Sequence, residues 1–390
     1  MRVVILGGGY GGLVCALRLA RRAGGQVAIT LVSEKEHFVE RIRLHEWAAG
    51  HKPVQQSLKA MVADTGITFK QGRVTQIDPQ GEVLVGQERL PFDRLVVALG
   101  SQADTRSVPG IREHAFTLEP ASAAQLASML PGLAARGGRV VVVGGGLTGI
   151  ESATEFAEAY PGLKVSLLSS SGLGKDFQET GRKHLLACLD RLRITQEQGR
   201  VKQIHANAIE LADRTVPFDV CLWTGGFTVP ALLRESGLPV NERGQVLVDP
   251  FLHVIGHKNI LAVGDAAMMV DPPSAMDMGC KTALPMGAHA AENLARIIRG
   301  EPEQRLDYVH SVFCTSLGRK DGIIQFFRKD GSMVPWVVTG RPAAWIKEFI
   351  CRSTLLAPQL ERVDVSGTVW RKKSQPTSSL EPSGREILGV

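Results

Sequence analysis

The chain carries one glycine pattern twice, "GGGYGG" at residues 7–12 and "GGGLTG" at residues 144–149, offset by 144 − 7 = 137 residues. Each copy follows a run of branched apolar residues, at 3–6 and 140–143, and each leads into a helical pattern. In GxGxxG spacing the first glycine permits a tight turn and the second lets a pyrophosphate approach the backbone at a helix N-terminus. The third lets the helix pack on its strand. Gly7, Gly9 and Gly12 take these places in the first copy, with Gly11 beside them. Gly144, Gly146 and Gly149 take them in the second, with Thr148 beside them. A second strand, "QVAITLVSE", ends at Glu34, which is 34 − 12 = 22 residues after Gly12, where a ribose-binding acid is expected. Two such units predict an α/β chain with two dinucleotide sites.

The connecting segments support this order. "PFDRLVVALGSQAD" and "PFDVCLWTGGFTVP" each give an acid, a buried strand and a glycine turn, at Gly100 and Gly225. "NILAVGDAA" places Gly264 and Asp265 at the end of an apolar strand. A carboxylate at the C-terminal end of a strand faces the crevice where ligands bind. It reads as a contact to a ribityl or ribose hydroxyl, with a buried structural acid as the alternative. A length of 390 residues allows two or three domains. The net charge of +6 comes from scattered basic residues without a Lys/Arg block, which argues against nucleic-acid binding. No apolar run approaches the roughly 20 residues of a membrane span. The N-terminus passes directly into a glycine loop instead of a cleavage site, so a cytoplasmic protein is expected. Cys15, Cys188, Cys221, Cys280, Cys314 and Cys351 form no CxxC and no metal-ligand spacing, and read as free, mostly buried thiols.

These four features, in this order, resemble the two-dinucleotide-binding flavoproteins, a family that includes glutathione reductase, ferredoxin reductases, apoptosis-inducing factor and type II NADH dehydrogenases. The resemblance covers about residues 1 to 300. It implies two Rossmann-like domains of the glutathione-reductase type, one for FAD and one for NAD(P)H, plus a small C-terminal α+β region. The implied boundaries are 1–112 and 246–304 for the FAD domain and 113–245 for an inserted NAD(P)H domain. A C-terminal interface region is expected at 305–371 and a disordered Ser/Pro-rich tail at 372–390.

Within the family, the disulfide reductases need a CxxxxC pair after the first unit, and this chain has no cysteine between Cys15 and Cys188. "HFVERIRLHEWAAG" and "GGGLTGIESA" instead look like type II NADH dehydrogenase-like proteins. The resemblance assigns Arg41 to the FAD pyrophosphate, with Arg43 as the competing candidate, since a guanidinium bonds phosphate in a bidentate way. It assigns Glu151 to the nicotinamide carboxamide or the flavin edge, where an acid serving only the helix dipole is the other reading. Val74, Pro285 and Met286 complete the implied FAD contacts, the last two in the helix of "CKTALPMGAHAAENLARIIRG". The family's quinone-site glutamines are replaced there, at positions taken as Ala288 and Glu292, which puts quinone in doubt as the acceptor. His289 reads as an ordinary helix residue.

In "KVSLLSSSGLGK" the strand ends at Ser169 to Ser171, where an NADH site would offer an acid. Serine hydroxyls, with Lys175 or Arg182, suit the phosphate of NADPH, so NADPH or dual use is expected. Trp345, Ile346, Phe349 and Ile350 share one helix face and are expected to pack on the flavin domain or on a second subunit, with peripheral membrane contact as the family's other use of such a helix. The expected activity is hydride transfer from NAD(P)H to FAD and onward to a quinone or other small acceptor, by a monomer or homodimer and without metal. The alternatives are an oxidoreductase acting on a specific metabolite and a redox-responsive interaction protein like apoptosis-inducing factor.

Overall fold

The computed structural model describes residues 1–272, 276–309, 311–328 and 330–363. The expected disordered tail, and the end of the expected interface region, lie outside the described residues.

Two sheets dominate the fold, the larger mixed with a parallel centre and the smaller all parallel. The larger has eight strands, and its parallel centre runs His257–Ala262, Arg94–Val97, Arg2–Leu6, Ala28–Ser33 and Ile67–Gln71. The smaller has five, in the order Phe116–Thr117, Val220–Trp223, Arg139–Val143, Lys164–Ser169 and Thr195–Gln198, all parallel. Parallel sheets covered on both faces need strands apolar on both sides, and this explains why "RVVVV" does not alternate with polar residues. Val140 and Val142 enter one core while Val141 and Val143 enter the other.

The repeated "PFD" has a structural cause. Asp93 accepts the Arg2 amide at 2.7 Å and its own amide returns to the Arg2 carbonyl at 2.9 Å. Asp219 does the same for Arg139, at 2.7 and 2.9 Å. Each acid pins the first residue of the fingerprint strand and so fixes the register on which its glycine loop depends. Beyond the two "PFD" strands the chain pairs with itself: Gln102–Ala103 lies antiparallel to Phe227–Thr228, and the Asp104 amide donates to the Gly226 carbonyl at 3.0 Å.

The C-terminal region is a three-stranded antiparallel sheet, Val312–Ser316, Gly322–Phe327 and Met333–Thr339, followed by the helix Gly340–Arg362. That helix narrows one expectation. Trp345 and Phe349 are 68% and 73% exposed, so of the two expected partners for the large apolar face the chain's own sheet is not the one. The face turned inward carries small and polar residues, among them Ala343, Ala344, Lys347, Cys351, Thr354 and Glu361. The reason is electrostatic: the inward stripe supplies partners to charges buried below it. Glu361 pairs with the buried Arg18 through both carboxylate oxygens and with Arg21 at 3.0 Å, while Lys347 pairs with Glu151 at 3.0 Å.

Candidate functional site

The two glycine loops are superimposable in their chemistry. Gly7 and Gly144 have φ of 114° and 129°, outside the range of ordinary L residues. A Cβ on Gly12 would lie 1.9 Å from the Gly7 carbonyl oxygen, and one on Gly149 would lie 1.8 Å from that of Gly144. These glycines therefore serve the fold itself. The middle glycines differ: a Cβ on Gly9 or Gly146 would meet no protein atom within 4 Å. Each middle glycine is the N-cap of its helix, Tyr10–Ala23 or Leu147–Ala159, and neither helix has a side-chain cap. Uncapped amides beside open space form an anion cradle of the polarity a pyrophosphate needs. The residues thus fit one dinucleotide at each loop.

Around the first loop, Gly11 faces a helix more than a ligand. Its backbone lies under Cys280–Ile298, where a Cβ on Gly287 would come within 2.1 Å of the Gly11 carbonyl oxygen. Glu34 stands exposed just past the strand Ala28–Ser33, 3.8 Å from Arg73, and Val74 opens the strand Val74–Asp78 of a separate three-stranded sheet. Gly100 and Gly264 both adopt positive φ. Between them, Asp265 accepts Ser101 Oγ at 2.6 Å and the Gly279 amide at 2.7 Å. It therefore ties the Gly100 turn to the start of the helix Cys280–Ile298, and its remaining lone pairs are still able to accept a sugar hydroxyl.

Pro285 sits in the second turn of that helix, where it has no N–H for the Lys281 carbonyl. Tyr308 Oη donates to that carbonyl instead, at 3.1 Å. Met286 is buried beside it. Ala288 is fully buried and Glu292 pairs with Arg22 at 3.1 Å, so the two substitutions that raised doubt about quinone lie on faces committed to packing and ion pairing. His289 is buried and its Nε2 lies 2.9 Å from the Gln304 carbonyl oxygen, a partner that sequence did not reveal.

The two arginine candidates separate. Arg43 is held by Glu46 at 2.9 Å and by Glu348 of the C-terminal helix at 3.0 Å, which engages its guanidinium in a protein network. Arg41 has Glu119 at 3.6 Å and keeps a third of its side chain exposed.

Glu151 lies in the second turn of the second fingerprint helix and is buried. Its Oε1 accepts Lys347 Nζ at 3.0 Å, the Ser316 amide at 3.1 Å and Ser316 Oγ at 3.3 Å. Burial pushes this carboxyl up, but Lys347, His45 and the Ser316 amide more than offset it and hold it below the ordinary 4.5. Lys347 is likewise pushed down by burial and pulled well above the ordinary lysine value by Glu151. Both groups are charged at neutral pH. Lys347 and Ser316 were not found by sequence reading, because a lone lysine between apolar residues looks like surface. Near this pair, burial pushes Cys280 up to about 11 and Cys351 to about 12, so both are thiols at neutral pH. All six cysteines are free. Among the described residues no cluster of potential ligands is able to hold a metal ion.

At the second site the register narrows the run Ser169 to Ser171 to one residue. Arg2 pairs with Ala28 and Arg139 with Lys164, so Ser169 corresponds to Ser33 and Ser170 to Glu34. Ser169 is buried, and its Oγ donates to the Gly172 carbonyl at 3.2 Å under the glycine loop. The exposed Ser170 is the residue in the acid's place. Lys175 is exposed on the same loop, while Arg182 Nε donates to the Leu173 carbonyl at 3.3 Å. Gly225 lies against the Trp223 ring, and Thr148 is half-buried in the first turn of the helix.

Residues 1–295 match the family model described as pyridine nucleotide-disulphide oxidoreductase. The chain is 32% identical over 292 residues to demethylphylloquinone reductase NdbB of Synechocystis sp., covering 68% of this chain and 72% of that protein. It is 26% identical over 396 residues to the type II NADH:quinone oxidoreductase of Staphylococcus epidermidis, covering 90% and 94% of the two chains. Among solved structures, the sulfide:quinone oxidoreductase of Aquifex aeolicus superimposes with a TM-score of 0.81 at 19% identity, over 94% of this chain and 92% of that one.

Proposed function

The chain belongs to the pyridine nucleotide-disulphide oxidoreductase family, and from that premise we propose that it is an FAD-dependent NAD(P)H:quinone oxidoreductase working without a redox disulfide. The observation that carries this reading is the duplicated glycine cradle, one open anion site per dinucleotide, with buried thiols in place of a reactive cysteine pair. Quinone is named as the acceptor because two of the similar proteins are quinone reductases by name. When bound, FAD supplies a relay between a two-electron donor and the acceptor.

In this reading residues 1–112 and 246–304 hold FAD, through Gly7, Gly9, Gly12, Glu34, Arg41, Val74, Gly100, Gly264, Asp265, Pro285 and Met286. Residues 113–245 hold the nicotinamide nucleotide, through Gly144, Gly146, Thr148, Gly149, Gly225 and the loop from Ser169 to Lys175. Glu151, fixed by Lys347 and Ser316, presents a charged carboxylate at the inner end of the second site. The absence of an acid at Ser170 removes the repulsion that would exclude NADPH, and Lys175 adds a donor for its phosphate.

No helix of the described residues is long and apolar enough to cross a membrane. The exposed row of Trp336, Trp345, Phe349 and Leu356 supports peripheral contact with a membrane surface from a cytoplasmic location. Anaerobic stopped-flow mixing of the FAD-loaded protein with NADH and then NADPH, followed by a water-soluble quinone, tests the proposal. Flavin bleaching by either nucleotide and recovery with quinone are expected. A flavin that stays oxidised in excess of both nucleotides refutes it.

A further inference from the structure

The far end of the second fingerprint helix meets two other parts of the chain at an open cavity of about 400 Å³, within the range of small-molecule sites. The loop at 49–51, which follows the short helix Leu44–Ala48, forms one side. Glu155, Glu158, Ala159 and Tyr160 form another, and Arg319 and Lys320, in the turn between the strands Val312–Ser316 and Gly322–Phe327, form the third. Glu155 lies 155 − 146 = 9 residues beyond Gly146, about 13 Å along the helix, so the cavity is separate from the nucleotide cradle at that glycine. Two contacts fix its walls: Tyr160 Oη donates to the Ala49 carbonyl at 2.9 Å, and Glu158 Oε1 accepts the Arg319 amide at 3.0 Å.

The floor of this cavity is acid-rich and short of a partner. Glu155 is 1% exposed, and its Oε2 has no hydrogen-bond partner. A buried polar atom in that state calls for an explanation in function. Arg319 stands 3.8 Å from Oε2, beyond hydrogen-bond reach, and shares its charge with Glu46 at 2.7 Å and Glu348 at 3.2 Å. His51 Nε2 lies 3.3 Å from the other oxygen, and half of its side chain is exposed. Burial is the largest influence on Glu155, and with Glu46, Glu158 and Glu151 it outweighs Arg319 and brings the carboxyl to about 8. The rim has the opposite character. Lys320 and His51 are both exposed there, and Lys320 has no ion-pair partner among the described residues. The remaining wall is apolar, from the Tyr160 ring and the methyls of Ala49 and Ala159.

We propose that this cavity is a binding site for an amino acid with an apolar side chain, its ammonium set inward on Glu155 Oε2 and its carboxylate outward on Lys320 and His51. An ammonium supplies both the hydrogen-bond donor and the positive charge that the floor lacks. A carboxylate supplies the charge that Lys320 lacks, and an apolar side chain suits the Tyr160 ring and the two methyls. A metal ion fits less well, since among the described residues no cluster of potential ligands is able to hold one. Ammonium binding favours the ionised carboxylate. A proton therefore leaves Glu155 as the amino acid enters, and affinity rises as pH rises from 7 towards about 8. Neither hydride transfer nor flavin reduction enters this inference, so it stands apart from the proposed function.

Isothermal titration of the full chain tests the site with L-leucine and L-phenylalanine as probes. Each is compared with the amine that lacks its carboxylate, isoamylamine or phenethylamine, and with the acid that lacks its ammonium, 4-methylpentanoate or 3-phenylpropanoate. At least one amino acid should bind about threefold more tightly than its amine, as an exposed ion pair is worth, and about tenfold or more above its acid, as a charged hydrogen bond is worth. Repeating the titration in buffers of different ionisation enthalpy should show proton release at pH 7. Glu155→Gln should weaken amino-acid binding about tenfold or more and abolish the proton release. Lys320→Ala, at an exposed position, should keep the fold and weaken the amino acid about threefold without changing the affinity of the amine, so the site remains testable even if Glu155→Gln does not fold. No binding of either amino acid at millimolar concentration, equal affinity for amino acid, amine and acid, or binding that is unchanged in Lys320→Ala overturns the assignment.

Discussion

Replacing Lys347 by methionine removes an ammonium while nearly preserving the side chain's length. The pair it breaks is buried: Lys347 Nζ donates to Glu151 Oε1 at 3.0 Å and to the Cys314 carbonyl at 3.2 Å. Breaking one side of a buried ion pair costs about 3–5 kcal/mol because the surviving charge is left without compensation. Glu151 keeps the Ser316 amide and hydroxyl, so the lower end, about 3 kcal/mol at pH 7, is the expected loss. Adding Glu151→Gln removes the stranded charge. The double variant should therefore be more stable than Lys347→Met alone, with a coupling of about 2 kcal/mol. The pH dependence has a definite sign. In wild type the Glu151 carboxyl lies below its ordinary 4.5, so its contribution is present above that value and is lost only as pH falls through the depressed one. In Lys347→Met burial acts with far less opposition, and the folded-state pKa rises above 4.5. The folded variant then takes up a proton more readily than the unfolded chain, and the gap to wild type narrows from pH 7 to pH 5. Urea unfolding at both pH values, with limited proteolysis to follow release of the C-terminal helix, measures this. A loss under about 1 kcal/mol, or a gap that widens in acid, would refute the assignment of Lys347 and Glu151 as a buried charged pair.

Other positions give sharper yes-or-no outcomes. Gly12→Ala places a methyl 1.9 Å from the Gly7 carbonyl and should prevent accumulation of folded protein, whereas Gly9→Ala, with open space around it, should fold and retain less FAD on gel filtration. Equal behaviour of the two variants in both assays would contradict the separation of structural from ligand-facing glycines. Ser170→Asp should raise the KM for NADPH more than that for NADH, through repulsion of the ribose phosphate; unaltered selectivity in stopped-flow reduction counts against the loop's role. Tyr308→Phe removes the hydrogen bond that Tyr308 Oη donates to the Lys281 carbonyl, and thermal unfolding should report a loss of about 0.5–1.5 kcal/mol.

Legibility in the sequence tracked locality. The glycine loops were readable because each demand on them, a turn, a close approach or an open amide, acts within a dozen residues of a strand whose apolar run is unmistakable. The parallel sheets followed from the same runs. The acid's place was readable only as the run Ser169 to Ser171, because strand ends are set by pairing between strands, here Lys164 with Arg139, which singles out Ser170. The C-terminal helix was legible only in part. Its large apolar residues pointed to a face packed on the flavin domain or on a second subunit, yet within the chain the inward stripe holds Lys347 and Glu361, whose partners Glu151 and Arg18 are about 200 and 340 residues away in the chain. Charge pairing across that separation leaves no local trace. The same holds for Arg43, which looked as suitable for phosphate as Arg41 until Glu348 was brought beside it.

The short ribbon of Gln102–Ala103 and Phe227–Thr228 bears on how such a chain is assembled. The segment between them leaves and returns to the larger sheet at neighbouring points, closed by the bond from Asp104 to Gly226. To the host sheet, more than a hundred intervening residues are topologically equivalent to a tight hairpin. Loop-closure entropy, which would otherwise grow with the logarithm of that length, is absorbed by the folding of the segment itself. Modular insertion is then nearly neutral for the recipient, and the ribbon is the seam at which a second nucleotide fold is joinable to a first without disturbing the strand order of either.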